Sequence, residues 1–337
     1  MTEAISATAS GVTGRLKPLT ERILAALPGP RVLWIVAWAL VPWVNAGINL
    51  LLEPEARSAV WEQGRLLVVL NYAALSLAMV ITLWGTARIA RRLETLRAST
   101  STVLEVDARA PFRGVNSVLG PLLAVAATAT AFALSALLGA GSMPGAIRGV
   151  TWLVIGIPIW TFLWTYGALQ LGLDRLGREH LVPDAPRVDP YLGLRPLGGV
   201  AFMGLWMLMA WLVPVFLTGL PDLVGVAVGS LVLICGLGAF FLSLARLHRQ
   251  MAEVKASELA TARDLYAQAY EPLRAAPTLE TLERQRSLLA AAESLEKRAQ
   301  AIHEWPIDEG TLARVITIAT SVVAMMVARL ILDPLGL

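Results

Sequence analysis

The stretch LARLHRQMAEVKASE, residues 244–258, decides how this chain is built, because in it an apolar helix passes into charged sequence without a break. Upstream, residues 224–244 carry no charge. At about 1.5 Å per residue they are long enough to cross a hydrocarbon core of roughly 30 Å. Downstream come Arg246, His248, Arg249, Glu253, Lys255 and Glu258, with no Gly or Pro before Pro272, while Leu244, Leu247, Met251 and Val254 keep a 3-4 spacing. The pattern predicts one continuous helix, half in lipid and half in water.

Two prolines, Pro272 and Pro277, predict a turn over residues 270–277, since a helix interior does not accommodate them. Thr278 can cap a return helix that runs to Glu304. Its apolar residues Leu288, Ala291, Leu295, Ala299 and Ile302 form one stripe, with charges on the other face. The two polar arms are nearly equal, so the chain is brought back to the surface it left. There Trp305 and Pro306 supply an interfacial aromatic and a helix break. Asp308 or Thr311 can start a last apolar helix over residues 312–332.

Working outward, six apolar segments precede that last one, over residues 32–52, 66–89, 118–139, 150–171, 199–217 and 224–244. The expected fold class is therefore all-α, a polytopic seven-helix transmembrane protein with a helical hairpin between helices 6 and 7. Four regions follow: a leader (1–31), a six-helix membrane region (32–244), the hairpin (245–306), and the last helix with a short tail (307–337). The composition agrees, with 56% hydrophobic and 16% charged residues in 337 and a mean hydropathy of +0.63. In the leader, residues 14–27 place Leu16, Leu19, Ile23 and Leu27 on one side, which suits either a short helix on a membrane surface or an irregular basic segment. The first thirteen residues lack the basic start of a signal peptide.

Orientation follows from the basic residues, which are retained on the cytoplasmic side in short loops. With the amino terminus inside, 24 of the 28 Lys and Arg are inside, and only Arg57, Arg65, Arg148 and Arg329 are outside. The arrangement expected is N-in and C-out, with the hairpin in the cytoplasm and the outside loops short. The basic pI of 9.3 thus has a membrane explanation and calls for no nucleic acid. Alanine and arginine richness with three lysines points to a prokaryotic inner membrane.

Chemistry is mostly excluded. No ionisable residue occupies the centre of any segment, which weighs against an ion-driven transporter. His180, His248 and His303 all lie in cytoplasmic segments, so no Ser-His pair or His-metal cluster forms at membrane depth. His303-Glu304 lacks the second histidine of a zinc helix, and there is no phosphate-binding Gly-Lys-Ser/Thr loop. The single Cys235 excludes an intramolecular disulfide. No enzyme activity, cofactor or metal is expected.

Three groups remain. Asn45 and Asn49 lie one turn apart and can face Asn71 and Tyr72. With Tyr166 they make either interhelical hydrogen bonds or a polar ligand pocket. On the last helix Ala313, Thr317, Thr320, Ala324 and Ala328 share one side, with Ser321 beside them, while Val315, Ile318, Val322 and Met325 cover another. Such a face either packs on a neighbouring helix or lines a water-filled path formed by several copies. The third group is the break at Trp305 and Pro306.

This layout of seven helices, a sixth helix prolonged into the cytoplasm, a returning polar helix, a break and a terminal helix resembles the insect odorant and gustatory receptor channels. In that family the split last helix forms the central anchor and pore of a tetramer, so the resemblance implies a homo-oligomeric channel. The family's Thr-Tyr and Gln-Phe signature has no counterpart in residues 317–332, which contain no Tyr, Gln or Phe. A non-conducting scaffold or sensor, whose hairpin binds a cytoplasmic protein partner, is the alternative; a carrier for an apolar or zwitterionic molecule is a third.

Overall fold

The computed structural model describes residues 16–52, 65–100, 110–138, 143–178, 189–217, 223–275 and 278–332. Their elements are α1 (Leu19–Ala26), α2 (Arg31–Leu52), α3 (Arg65–Thr100), a 3-10 turn (Ala110–Asn116), α4 (Leu119–Leu138), α5 (Met143–Leu176), α6 (Arg195–Leu217), α7 (Leu223–Ala275), α8 (Leu279–Ala301) and α9 (Glu309–Leu332). No strand occurs among the described residues.

Among the described residues six helical stretches are long and apolar enough to cross a membrane, in α2, α3, the 3-10 turn with α4, α5, α6 and α7. The 24-residue α9 is not among these six. Large apolar side chains stand exposed along the outside, such as Leu40 on α2, Leu77 on α3, Leu123 on α4, and Leu231 and Ile234 on α7. In water so much apolar surface would drive association, whereas against lipid it needs no partner. The chain is an all-helical protein whose apolar helices suit a multi-pass membrane protein. Pro42, Pro158 and Pro214 lie inside α2, α5 and α6. Membrane helices accept such breaks because neighbouring groups can satisfy the freed carbonyls.

The centre of the bundle is α6, with 61% of its span buried against 17% for α2. It packs against α3, α5, α7 and α9. Phe162 of α5, Leu205 and Leu208 of α6 and Phe240 of α7 are fully enclosed there. One end of the bundle gathers the basic residues. Arg246 lies against Gly177 just past α5, and Arg88 and Arg92 of α3 face the start of α6.

Helix α7 is 53 residues long and unbroken through residues 244–258. It continues past Pro272 to Ala275, so the turn expected to open at residue 270 begins after Ala275. Pro272 is three residues from the helix end, where its missing N–H and its clash disturb only the last turn. Helix α8 packs along the polar part of α7 in the opposite direction. Lys255 Nζ lies 3.1 Å from Glu304 Oε1, whereas Tyr266, further along α7, is beside Glu296 and Glu293. The seam is built of small residues: Ala262, Ala269, Ala292 and Ala299 are all buried, with Leu247, Met251 and Ile302 closing the end near the bundle. Ala292, not Ala291, faces inward, and Ala291 is exposed. Alanine loses no rotamer freedom on burial and lets two helices approach closely.

Helix α1 is fastened to the bundle. Leu16, Leu19 and Leu24 are buried. The Leu16 N–H donates to Glu94 Oε1 (3.0 Å), the Lys17 N–H to Asn116 Oδ1 (2.7 Å) and Arg22 to the Asn116 carbonyl (2.8 Å). Asn116 thus ties the basic leader to the 3-10 turn. Glu21 and Arg31 form an ion pair across the link to α2.

Candidate functional site

The structure places the three expected groups apart. In the first, Asn45 is buried on α2 with its Oδ1 unpartnered. Trp43 meets Tyr72 of α3 with ring centroids 5.8 Å apart, and Asn71 is half-buried beside it. The Asn49 side chain lies outside the description. Tyr166 belongs to a different set of contacts: its hydroxyl donates to the Gly236 carbonyl of α7 at 2.7 Å. One turn along α5, Gln170 Oε1 lies 2.7 Å from Ser243 Oγ, also on α7. Tyr166, Gln170 and Ser243 form a buried polar seam between α5 and α7. The i, i+4 spacing of Tyr166 and Gln170 on an apolar helix was its sequence signal; the Ser243 partner had none.

In the second group, α9 turns Val315 and Val322 inward, with Ile318 and Met325 packed beside them. Thr317, Thr320, Ser321, Ala324 and Ala328 are all exposed. The Thr317 hydroxyl donates to the Ala313 carbonyl (2.9 Å) and the Ser321 hydroxyl to the Thr317 carbonyl (2.8 Å). These two hydroxyls are satisfied within the helix, so Thr317 and Ser321 can meet lipid, a helix or water without an orphaned donor.

The third group, the break, is the most elaborately held. His248 of α7 stacks on Trp305, centroids 4.3 Å apart and planes 12° from parallel. Its Nδ1 lies 2.8 Å from the Glu304 carbonyl, which requires the proton on Nδ1. His303 stacks on Tyr191 at 4.3 Å and 7°, and its backbone N–H donates to the Pro190 carbonyl at 3.0 Å. The Arg195 guanidinium covers the Tyr191 ring at 5.3 Å. Asp189 shapes the supporting turn by accepting the Tyr191 and Gly193 N–H groups at 3.0 Å each. Leu192 and Gly193 both have positive φ there (54° and 75°). Both described histidines therefore act as joints between elements. The sequence reading considered them only as ligands or bases.

Next to this joint a cavity of about 540 Å³ opens, bordered by Lys255, His303, Glu304, Trp305 and Leu312. Asp308 ends the break and caps α9, with Oδ1 accepting the Thr311 N–H at 2.6 Å. That backbone hydrogen bond, the largest influence, holds the Asp308 carboxyl below its usual range. Asp308→Ala should lower stability by about 1 kcal/mol at neutral pH. Because the folded value is depressed, the capping contribution is fully present above the unfolded value of about 3.9 and is lost as pH falls through the folded value. Thermal midpoints of wild type and variant should differ at pH 7, and the gap should shrink steadily as pH falls below about 3.9. A constant gap would count against the cap.

Comparison with protein-family models, with curated proteins and with solved structures finds no match. Function must therefore be argued from the arrangement itself. Among the described residues no three His, Cys, Asp or Glu side chains gather as metal ligands. Cys235 stands exposed on α7. What the geometry offers is mechanical: the helix that leaves the bundle, the helix that returns and the final helix all meet at Trp305 and Pro306.

Proposed function

We propose that this chain is a seven-span membrane protein, amino terminus and α7–α8 hairpin in the cytoplasm, that self-associates into a channel-like homo-oligomer with α9 beside the path. The observation that carries this reading is that α9 packs one greasy face inward and leaves exposed a stripe of small residues, bordered by the exposed Ile316, Val323 and Val327. The small residues recur every fourth position in two rows, Ala313, Thr317, Ser321 and Thr320, Ala324, Ala328, a spacing that favours close helix association in membranes. The gathering of arginines at one end of the bundle supports the orientation. A tetramer is the copy number implied by the layout resemblance.

Cysteines placed at Thr317 and Thr320, with Cys235 replaced by alanine, test it. Disulfide cross-links between chains and labelling from water are expected. Monomeric, unlabelled thiols buried in lipid would remove the shared path.

A second reading rests on the far tip of the hairpin, where Tyr270, Leu279 and Leu282 stand 59%, 79% and 54% exposed. An apolar tip far from the bundle suits a scaffold that docks a cytoplasmic protein. Unreactive thiols on α9, no conductance in planar bilayers, and partner binding lost on Leu279→Ser with Leu282→Ser would favour this reading over the channel.

A further inference from the structure

We propose that α3 and α6 hold an anionic phospholipid, with its phosphate between Arg88 and Arg92 and its acyl chains along the outer faces of the two helices. The site needs insertion in a bilayer but neither self-association nor conduction.

A cavity of about 480 Å³ lies between these helices at the basic end of the bundle. Arg88, Arg92 and Thr95 of α3 line one wall, and Pro196, Gly199 and Met203 of α6 the other. No carboxylate lines it among the described residues. Among the described residues neither guanidinium has an acidic partner; Arg88 lies over the Trp84 ring, 5.0 Å from its centroid. Glu94, the acid nearest in sequence, accepts the Leu16 N–H instead. Two arginines one helical turn apart beside a void, with no acidic partner among the described residues, are a site for a group with several anionic oxygens.

The levels of the wall identify the ligand as a lipid. On α3, Leu77, Val80, Trp84, Arg88, Arg92 and Thr95 follow at 3-4 spacing, so they make one strip that changes from apolar to aromatic to cationic. Leu77, Val80 and Trp84 are exposed on it. The opposite strip on α6 is Pro196, Gly199, Met203 and Trp206, and Trp206 is exposed as well. The packing of Gly85 against Met207 puts Trp84 and Trp206 at the same height. The apolar segments end at residue 89 on α3 and begin at residue 199 on α6, so the two tryptophans lie within the apolar depth. Arg88 and Arg92 stand at its boundary, at headgroup height, and the strip below them runs to acyl-chain depth. Basic pockets between membrane helices bind anionic headgroups on this principle.

Gly199 keeps the space open, since a Cβ there would meet no atom within 4 Å. The charge and the space can thus be tested separately.

The test is native mass spectrometry of the full chain released from mild detergent after exchange into phosphatidylglycerol or phosphatidylcholine. Phosphatidylglycerol should be retained selectively. Arg88→Gln and Arg92→Gln should each weaken retention about fivefold, and the pair roughly thirtyfold, from the contribution of one arginine near a lipid surface. Arg92→Lys should retain most of the binding, and Arg91→Gln, outside the cavity lining, should leave it unchanged. Gly199→Leu should abolish it with both arginines present. Thermal midpoints close to wild type are expected throughout, which separates lost binding from lost fold. Equal retention of phosphatidylcholine, or undiminished binding in the double glutamine or Gly199→Leu variant, would overturn the site. Displacement of the lipid by millimolar inorganic phosphate would overturn the lipid as its occupant in favour of a soluble anion.

Discussion

Replacing Gly198 by alanine is expected to lower stability by about 3 kcal/mol, at the upper end for overpacking by a single methyl group. A Cβ at Gly198 would stand 2.0 Å from the Pro306 carbonyl oxygen and 2.7 Å from its carbon. These are backbone atoms, so no rotamer change relieves the clash. The break must lift off the start of α6, and with it go Trp305 from His248 and His303 from Tyr191. The neighbouring Gly199→Ala is the control, because its Cβ enters open space. Thermal unfolding in detergent should show a large drop for the first and almost none for the second. A fluorescence change confined to a chain that retains only Trp305 would follow the lifting directly. Matching midpoints for both variants would show that the seat of the break is loose.

The second large effect is expected from Ala256→Pro. Ala256 is exposed on α7 beyond the apolar segment, so the substitution removes no buried contact. It removes one backbone hydrogen bond and drives the ring into the carbonyl four residues earlier, for about 3 kcal/mol or more. Ala256→Gly, at about 1 kcal/mol, controls for propensity alone. Because α8 packs along α7 beyond this point and the break packs on α7 before it, a kink separates the seam at Ala262 and Ala269 from the joint at His248. Limited proteolysis should open cleavage sites in the polar helices of the proline variant only. Equal resistance would mean that α8 holds the pair straight without a continuous α7.

The main framework was open to reading because membrane helices announce themselves by length, and because α7 lacks any breaker between Gly238 and Pro272. Between α8, which ends at Ala301, and α9, which begins at Glu309, Pro306 supplies the residue that a helix interior does not accommodate. Pro272 misled because a proline close to a helix end disturbs little, and sequence alone does not show which residue is the last. Ala291 and Ala292 are chemically identical neighbours, so only the partner helix distinguishes them. Tyr166 was grouped with Asn45 on polarity, yet a hydroxyl at membrane depth takes the first carbonyl that comes close, and Gly236 on α7 supplies it. The joint was least visible. Stacking of His248 on Trp305 and of His303 on Tyr191 joins residues that are 57 and 112 positions apart, a relation carried by no local pattern.

The uninterrupted course of α7 makes it a lever. From residue 245 to its end it extends about 45 Å past the apolar segment at 1.5 Å per residue, stiffened along most of that length by α8. A tilt of about 5° where α7 leaves the bundle would carry its tip through roughly 4 Å, more than the depth of a side-chain contact. The fulcrum is the pair of stacked rings at Trp305 and His303. Any event that shifts α6 or α9 there is thus magnified at Tyr270, Leu279 and Leu282, and force applied to those residues is returned, with the same mechanical advantage, to the membrane helices.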